Sequence, residues 1–367
     1  MHKGHITLSQ SVFTLVLFIF GSSIVVGVSG EAEQDAWISL IIAALMVIPV
    51  FLVYARIMRL YPETDLFNIL EILFGKIFGR VFIALITWYA LHLCSLVLRN
   101  FTEFLQITTM PETPQLPMMI ALITVTAFLA LSGENILGKW SMIMFPIVAL
   151  TVIVTIVLSL VDFDYTHLQP IFGMGFEKII TGAYQIVTFP LGETVLFLCI
   201  AGAVRKKTNP YKVFGYSLSI GFAIFLLVIF RNIMILGTPM ISASYFPSYT
   251  TARILHIGDF LSRIEGSITM NFLLAGTVKI TLCLLAATKG IAKLFAIQDY
   301  KKLVYPTSML VVALCAIVYK SAMEMFGFLK YYQLYVIPFQ FVIPFAVWIV
   351  AEIKAKKRPT YKSPSTN

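Results

Sequence analysis

Runs of about 20 consecutive apolar residues recur along almost the whole chain, and that is the length at which a helix crosses a bilayer. Lipid offers no partner for exposed backbone groups, so each run must satisfy its own hydrogen bonds as a helix. Ten such spans can be placed, at about Ser9–Ser29, Ala36–Ile57, Val81–Phe104, Leu116–Ser132, Trp140–Val161, Thr181–Lys207, Val213–Leu236, Ser267–Thr288, Leu303–Tyr319 and Leu334–Ala351. Only 12% of the 367 residues are charged and 59% are hydrophobic, against about 25% charged in soluble domains. A soluble protein of this size could not bury so much apolar surface. The sequence predicts an all-α polytopic membrane protein.

The segments between spans set the topology. Tyr61–Arg80 is less apolar, with Leu66, Ile69, Leu70 and Leu73 at helical spacing and Thr64 or Asp65 placed to cap, which predicts an amphipathic surface helix. Gly237–Gly266 is long for a connection, and Thr250 is placed to cap a run containing Ile254, Leu255, Ile257 and Leu261. With the N-terminus in the cytoplasm, most of the 27 Lys and Arg residues fall on the inner side, while the connector Glu31–Asp35 is acidic. That is the positive-inside pattern. Both termini are therefore expected in the cytoplasm, with residues 1–352 as one membrane domain and 353–367 as a basic, polar tail. The first span lacks a small-residue cleavage site and reads as retained.

The sixth span is the irregular one. Phe189-Pro190-Leu191-Gly192-Glu193 sits in its middle. Pro190 removes a backbone donor and crowds the preceding turn, and a carboxylate at that depth needs a partner or a water-filled cavity. The segment reads as an interrupted helix beside a protein-lined cavity. Glu193 is then either a ligand-site or coupling residue, or a paired structural carboxylate.

Other polar groups within the spans are weaker candidates. Gly21, Ser22 and Ser23 interrupt the first span, either to let helices approach or to free backbone groups for a ligand. Lys279 lies deep in the eighth span; it can pair with Glu193, stand in for a coupling cation, or snorkel to the interface. His92 suits a hydrogen-bonded packing role better than ligation. Arg99 and Glu103, four apart on the third span, are expected to pair as an outer clamp or gate.

Enzyme motifs are missing. The chain has no GxxxxGK[ST] nucleotide loop, HExxH or GxSxG, and Gly173-Met174-Gly175 lacks the strand context of a dinucleotide fingerprint. Cys94, Cys199, Cys283 and Cys315 form no CxxC or Cys/His pair, which argues against a disulfide framework or a metal site. The net charge of +9 is divided among short turns, so it speaks for membrane topology and not for nucleic acid. Neither a cofactor nor catalysis is expected.

Several segments, in order, resemble the B subunit of bacterial spore germinant receptors. They are Ile6-Thr7-Leu8-Ser9-Gln10, the Gly21-containing first span, Asp35-Ala36-Trp37-Ile38-Ser39, Tyr61-Pro62, Gly75-Lys76-Ile77-Phe78-Gly79-Arg80, Phe189-Pro190-Leu191-Gly192-Glu193 and Lys206-Lys207. The similarity runs over about the first 350 residues. It implies kinship with the amino acid–polyamine–organocation transporters: two inverted five-helix repeats, about 6–161 and 176–352, with helices one and six discontinuous at a central site. It further implies Gly21, Ser22, Ser23 and Glu193 at the ligand, with His92, Ser95 and Lys279 lining or coupling through spans three and eight. Such a subunit senses a small nutrient, commonly an amino acid, in the inner membrane of the spore. Its partners would be a larger A-type membrane subunit and a C-type lipoprotein. The alternatives are a proton- or sodium-coupled amino acid transporter and an assembly subunit that binds nothing.

Overall fold

The computed structural model describes residues 5–27, 30–254 and 265–356. The tail from 357 onwards, and Leu255, Ile257 and Leu261 of the long connector, lie outside the described residues. Nine helices in the described residues are long and apolar enough to span a membrane, and the shorter apolar helix Leu8–Ser23 completes the ten spans.

Helix boundaries follow local chemistry. Span one (Leu8–Val26) starts at a capping box, in which Thr7 and Gln10 satisfy each other's backbone amides. Asp65 caps Leu66 by accepting from the Asn68 amide at 3.0 Å. The surface helix then breaks at Gly75, whose φ of 75° is open to glycine, and the chain turns into span three, which ends at Thr108. Asn209 caps span seven (Pro210–Ala243), with Pro210 in the first turn where no amide is needed. The connector helix starts at Pro247, so Thr250 lies inside it and its hydroxyl bonds back to the Phe246 carbonyl.

Two expectations about the ends of spans are corrected. Span one runs as helix through Gly21, Ser22 and Ser23 and stops at Gly27 (φ 83°). The Ser23 hydroxyl bonds back to the Ile19 carbonyl and so satisfies itself within the helix. Span ten begins at Ala322, not near Leu334: the helix Ala322–Tyr335, a wide turn Pro338–Val342 and the helix Ile343–Lys356 follow one another.

Packing repeats itself with a shift of five spans. Span five (Glu134–Ser159) packs on spans one, seven and eight (Glu265–Leu294); span ten packs on spans six, two (Ala36–Leu60) and three. Span seven flanks span one as span two flanks span six. A five-span unit begins and ends on opposite sides of a membrane, so the second unit is necessarily inverted relative to the first. Spans three, four (Gln115–Ser132), eight and nine (Val304–Val318) form a second layer against this bundle. The most apolar windows of spans six and eight are 83% buried, those of spans five and nine 28%. Spans six and eight are therefore the centre, and five and nine face lipid.

Ion pairs close the basic face. Arg56 grips Glu352 with two hydrogen bonds of 2.5 and 3.2 Å, joining spans two and ten. Lys289 lies 3.0 Å from Glu134 and 3.5 Å from Asp65, and Lys293 pairs with Glu71. Backbone pairing adds to this: Ile6 forms a parallel bridge with Val204 at the end of span six, through bonds of 2.8 and 3.1 Å. The opposite face is held more lightly, by Asp35 accepting from the Phe172 and Met174 amides at 2.9 and 3.0 Å.

Candidate functional site

Span six comes apart where the sequence says it must. Its helix, Phe176–Ile186, gives way to a wide turn at Val187–Leu191, in which Phe189 is extended (φ −139°, ψ 109°), and then to a tight helix over Gly192–Cys199. The carbonyls released around Pro190 find side chains. Gln340 donates to the Thr188 carbonyl at 2.8 Å, and Tyr54 reaches the Gly192 carbonyl at 3.4 Å and the Gln340 carbonyl at 2.6 Å. A Cβ on Gly192 would collide with Gln340 Oε1, so glycine lets span ten approach the break.

One turn on, Glu193 is fully buried with both oxygens engaged. Oε2 accepts from Lys279 Nζ at 2.5 Å and Oε1 from the Tyr332 hydroxyl at 2.5 Å. Lys279, also fully buried, donates to Ser22 Oγ at 2.8 Å and places its ammonium 5.3 and 5.1 Å from the centres of the Phe18 and Phe189 rings. It does not snorkel. A Cβ on Gly21 would lie 2.6 Å from Lys279 Cβ, so this glycine makes room for the lysine stem. Two isolated charges would be costly in so dry a place; here each neutralises the other and keeps further hydrogen bonds.

The polar chain extends beyond the pair. Because the Tyr332 proton goes to the carboxylate, Tyr89, 3.4 Å away, is the donor to Tyr332, and Tyr89 accepts from Gln340 Nε2 at 2.9 Å. The sequence Gln340, Tyr89, Tyr332, Glu193, Lys279, Ser22 thus runs through spans ten, three, ten, six, eight and one, with Gln340, Tyr89 and Tyr332 donating in turn towards the carboxylate and Lys279 donating to both Glu193 and Ser22.

Above this chain, on the side of Glu31 and Glu33, lies a cavity of about 560 Å³. Ser23, Gln185, Thr188 and Asn232 supply polar groups to its wall, and Phe189 and Tyr332 lie at its base. Those two rings stand edge to face with centroids 6.3 Å apart. Glu193 and Lys279 do not line it: the aromatic pair separates them from the cavity. Its volume is in the range of small-molecule sites.

Of the residues singled out from the sequence, Gly21, Ser22, Glu193 and Lys279 converge, and Ser23 reaches the cavity. The others stand apart. His92 stacks on Trp88 and bonds the Tyr335 hydroxyl at 3.0 Å. Ser95 Oγ bonds the Leu91 carbonyl at 3.0 Å and the Val311 carbonyl at 3.3 Å, which ties span three to span nine. Arg99 and Glu103 pair at 2.7 Å within their own helix and are buried. Sequence reasoning missed Tyr54, Tyr89, Tyr332 and Gln340. Of these, Gln340 carried a signal, an amide alone between Phe339 and Phe341.

The fold matches that of MHP1, a nucleobase-cation-symport-1 family transporter, in a closed conformation with bromovinylhydantoin bound, at a TM-score of 0.67 and 10% identity over 98% of this chain and 81% of that one. The shared architecture is an inverted repeat with discontinuous helices. In sequence the chain is similar to spore germination protein KB of Bacillus subtilis (strain 168), 25% identical over 99% of this chain and 98% of that protein. It is also similar to spore germination protein A2 of the same organism (20%; 88% and 87% covered) and spore germination protein XB of Bacillus anthracis (22%; 74% and 77% covered). With the family profile matched over residues 5–325, the chain belongs to the spore germination protein family.

Proposed function

We propose that this chain is the transporter-like membrane subunit of a spore germinant receptor. It binds a small nutrient of the amino acid class in the cavity above Phe189 and Tyr332 and passes the event on through the Glu193–Lys279 pair. One observation carries this reading: the pair joins the broken span six to spans eight and one directly beneath the cavity. Both carboxylate oxygens are already engaged, so Glu193 organises the break instead of receiving the ligand's ammonium. Ser23, Gln185, Thr188 and Asn232 are the groups placed to read a polar ligand.

In this reading the basic face, with both termini and the Arg205–Lys212 turn, is cytoplasmic, and the cavity opens away from the cytoplasm of the spore's inner membrane. Partners are a larger A-type membrane subunit and a C-type lipoprotein. Impermeant thiol labelling of single cysteines, with the four native ones replaced, tests the orientation: Glu31–Asp35 should label from outside, and outside labelling of the Arg205–Lys212 turn would overturn it.

The likeness to a symporter favours a second reading, a coupled amino acid transporter. Two measurements separate them. A receptor subunit binds labelled amino acid in the purified complex without accumulating it, whereas a transporter accumulates it alone in proteoliposomes. An assembly subunit does neither, and its deletion removes the other receptor subunits.

A further inference from the structure

Three cations are buried in the described residues: Arg99, Lys279 and Arg231. The first two have a glutamate. Arg231 of span seven, 2% exposed, forms no ion pair with any described Asp or Glu. Its Nε and Nη2 donate to Asn232 Oδ1 at 3.2 and 2.8 Å and its Nη1 to Thr155 Oγ1 at 3.1 Å. A guanidinium has five N–H groups, so one on each terminal nitrogen is left over. Neutral oxygens orient this cation without balancing its charge, and a buried charge without a counter-charge is the costly case.

A second group at the same place lacks partners. Asn271 of span eight is 2% exposed, and both its Nδ2 and its Oδ1 are without a hydrogen bond. Arg231 and Asn271 line one small cavity of about 10 Å³, together with Val152, Val228, Ser248 and Ile268. On this measure about 10–15 Å³ admits one particle the size of a water molecule. Val228 and Ser248 also line the large cavity, so among the described residues the two chambers share these two side chains as a wall.

We infer that Arg231 and Asn271 hold a single monatomic anion of the chloride class between spans seven and eight. The cavity admits one atom, the spare donors are Arg231 Nη1 and Nη2 and Asn271 Nδ2, and the missing charge is negative. The anion joins spans seven and eight to the Pro247–Ile254 helix at the wall of the large cavity. It is independent of the Glu193–Lys279 pair.

The test uses the full chain purified in detergent. Its unfolding midpoint is compared in sodium chloride and sodium gluconate at equal ionic strength, and radiochloride binding is measured by flow dialysis. Chloride and bromide should each raise the midpoint saturably by a few degrees, with one radiochloride bound per chain. Arg231→Met removes the charge that calls for the anion, and its midpoint should be the same in both salts. Should that variant fail to fold, Asn271→Leu keeps the arginine and removes one donor, and should weaken radiochloride binding about tenfold, or about 1.4 kcal/mol. Equal parent midpoints with no bound radiochloride would overturn the assignment, as would undiminished binding in Asn271→Leu. Displacement of radiochloride by free amino acids would also overturn it, by giving the site to a ligand carboxylate. So would loss of stability in Asp259→Asn together with no chloride binding, which would make the counter-charge the chain's own.

Discussion

Two ion pairs are buried among the described residues of this membrane bundle, and they differ in what they connect. Arg99 and Glu103 lie four residues apart on one helix, so their 2.7 Å contact survives any movement of that helix against its neighbours. Lys279 and Glu193 come from spans eight and six, and the same ammonium also holds Ser22 of span one. That contact persists only while three helices keep their places. Burial alone does not mark a working pair; connectivity does. Lys279–Glu193 is the pair able to report a shift of the broken helix.

The largest effect should come from Lys279→Met. Removing one member of a buried pair costs about 3–5 kcal/mol, which should show as a lower unfolding midpoint and a lost germinant response at matched abundance. The double variant Lys279→Met with Glu193→Gln sharpens the point: stability should return while the response stays absent. A normal response in either would break the comparison.

Glu193→Gln alone should assemble but respond only above about ten times the parent's germinant concentration, equivalent to about 1.4 kcal/mol. Dose–response curves at equal protein level decide this. Tyr332→Phe removes one hydrogen bond to the carboxylate, worth about 1.5–3 kcal/mol for a charged partner, and should move both stability and threshold the same way to a comparable degree.

The helix-internal pair supplies the contrast. Arg99→Met with Glu103→Leu should leave the threshold within about twofold of the parent, since such swaps of buried pairs are often neutral or stabilising. A threshold shift as large as that of Glu193→Gln would put this clamp into the mechanism. Smaller again is Arg56→Gln on the basic face, where a partly exposed pair contributes about 0.2–1 kcal/mol. Replacing sodium by potassium should change nothing, because the Lys279 ammonium supplies the cation at the break. An absolute sodium requirement would favour coupled transport.

The bilayer made most of the fold legible, since ten apolar runs have few other solutions. The break at Phe189–Glu193 was equally plain, because proline and a carboxylate conflict there with both helix and lipid. Of the two cap candidates that position offered, Thr64 and Asp65, Asp65 is the one that caps. The site was only half legible. Lys279 stood out by its charge, but its contacts join residues far apart in the chain, and spacing carries no information about them. Tyr332 was hidden because Ala322–Gln333 mixes Glu, Lys, Gln and aromatics and reads as a loop, yet it packs as a helix beside the break. Gly21 to Ser23 misled for the opposite reason: glycine and serine permit a break, but Ser23 satisfies its hydroxyl on the helix, and the glycine serves the lysine stem. Arg231, a lone arginine in Leu226–Leu236, was passed over in the sequence, and its meaning came only with Asn271.

The bridge between Ile6 and Val204 also bears on biosynthesis. Ile6 precedes the first span in the chain, yet the residue it pairs with, Val204, lies at the end of the sixth. Until that span is inserted, the backbone groups of Ile6 have no lasting partner. The bridge therefore closes only when the first half of the protein and the broken helix of the second are both in the membrane. A chain arrested before Val204 therefore lacks this pairing, and its Ile6 segment should be cut by proteases sooner than in the full-length chain.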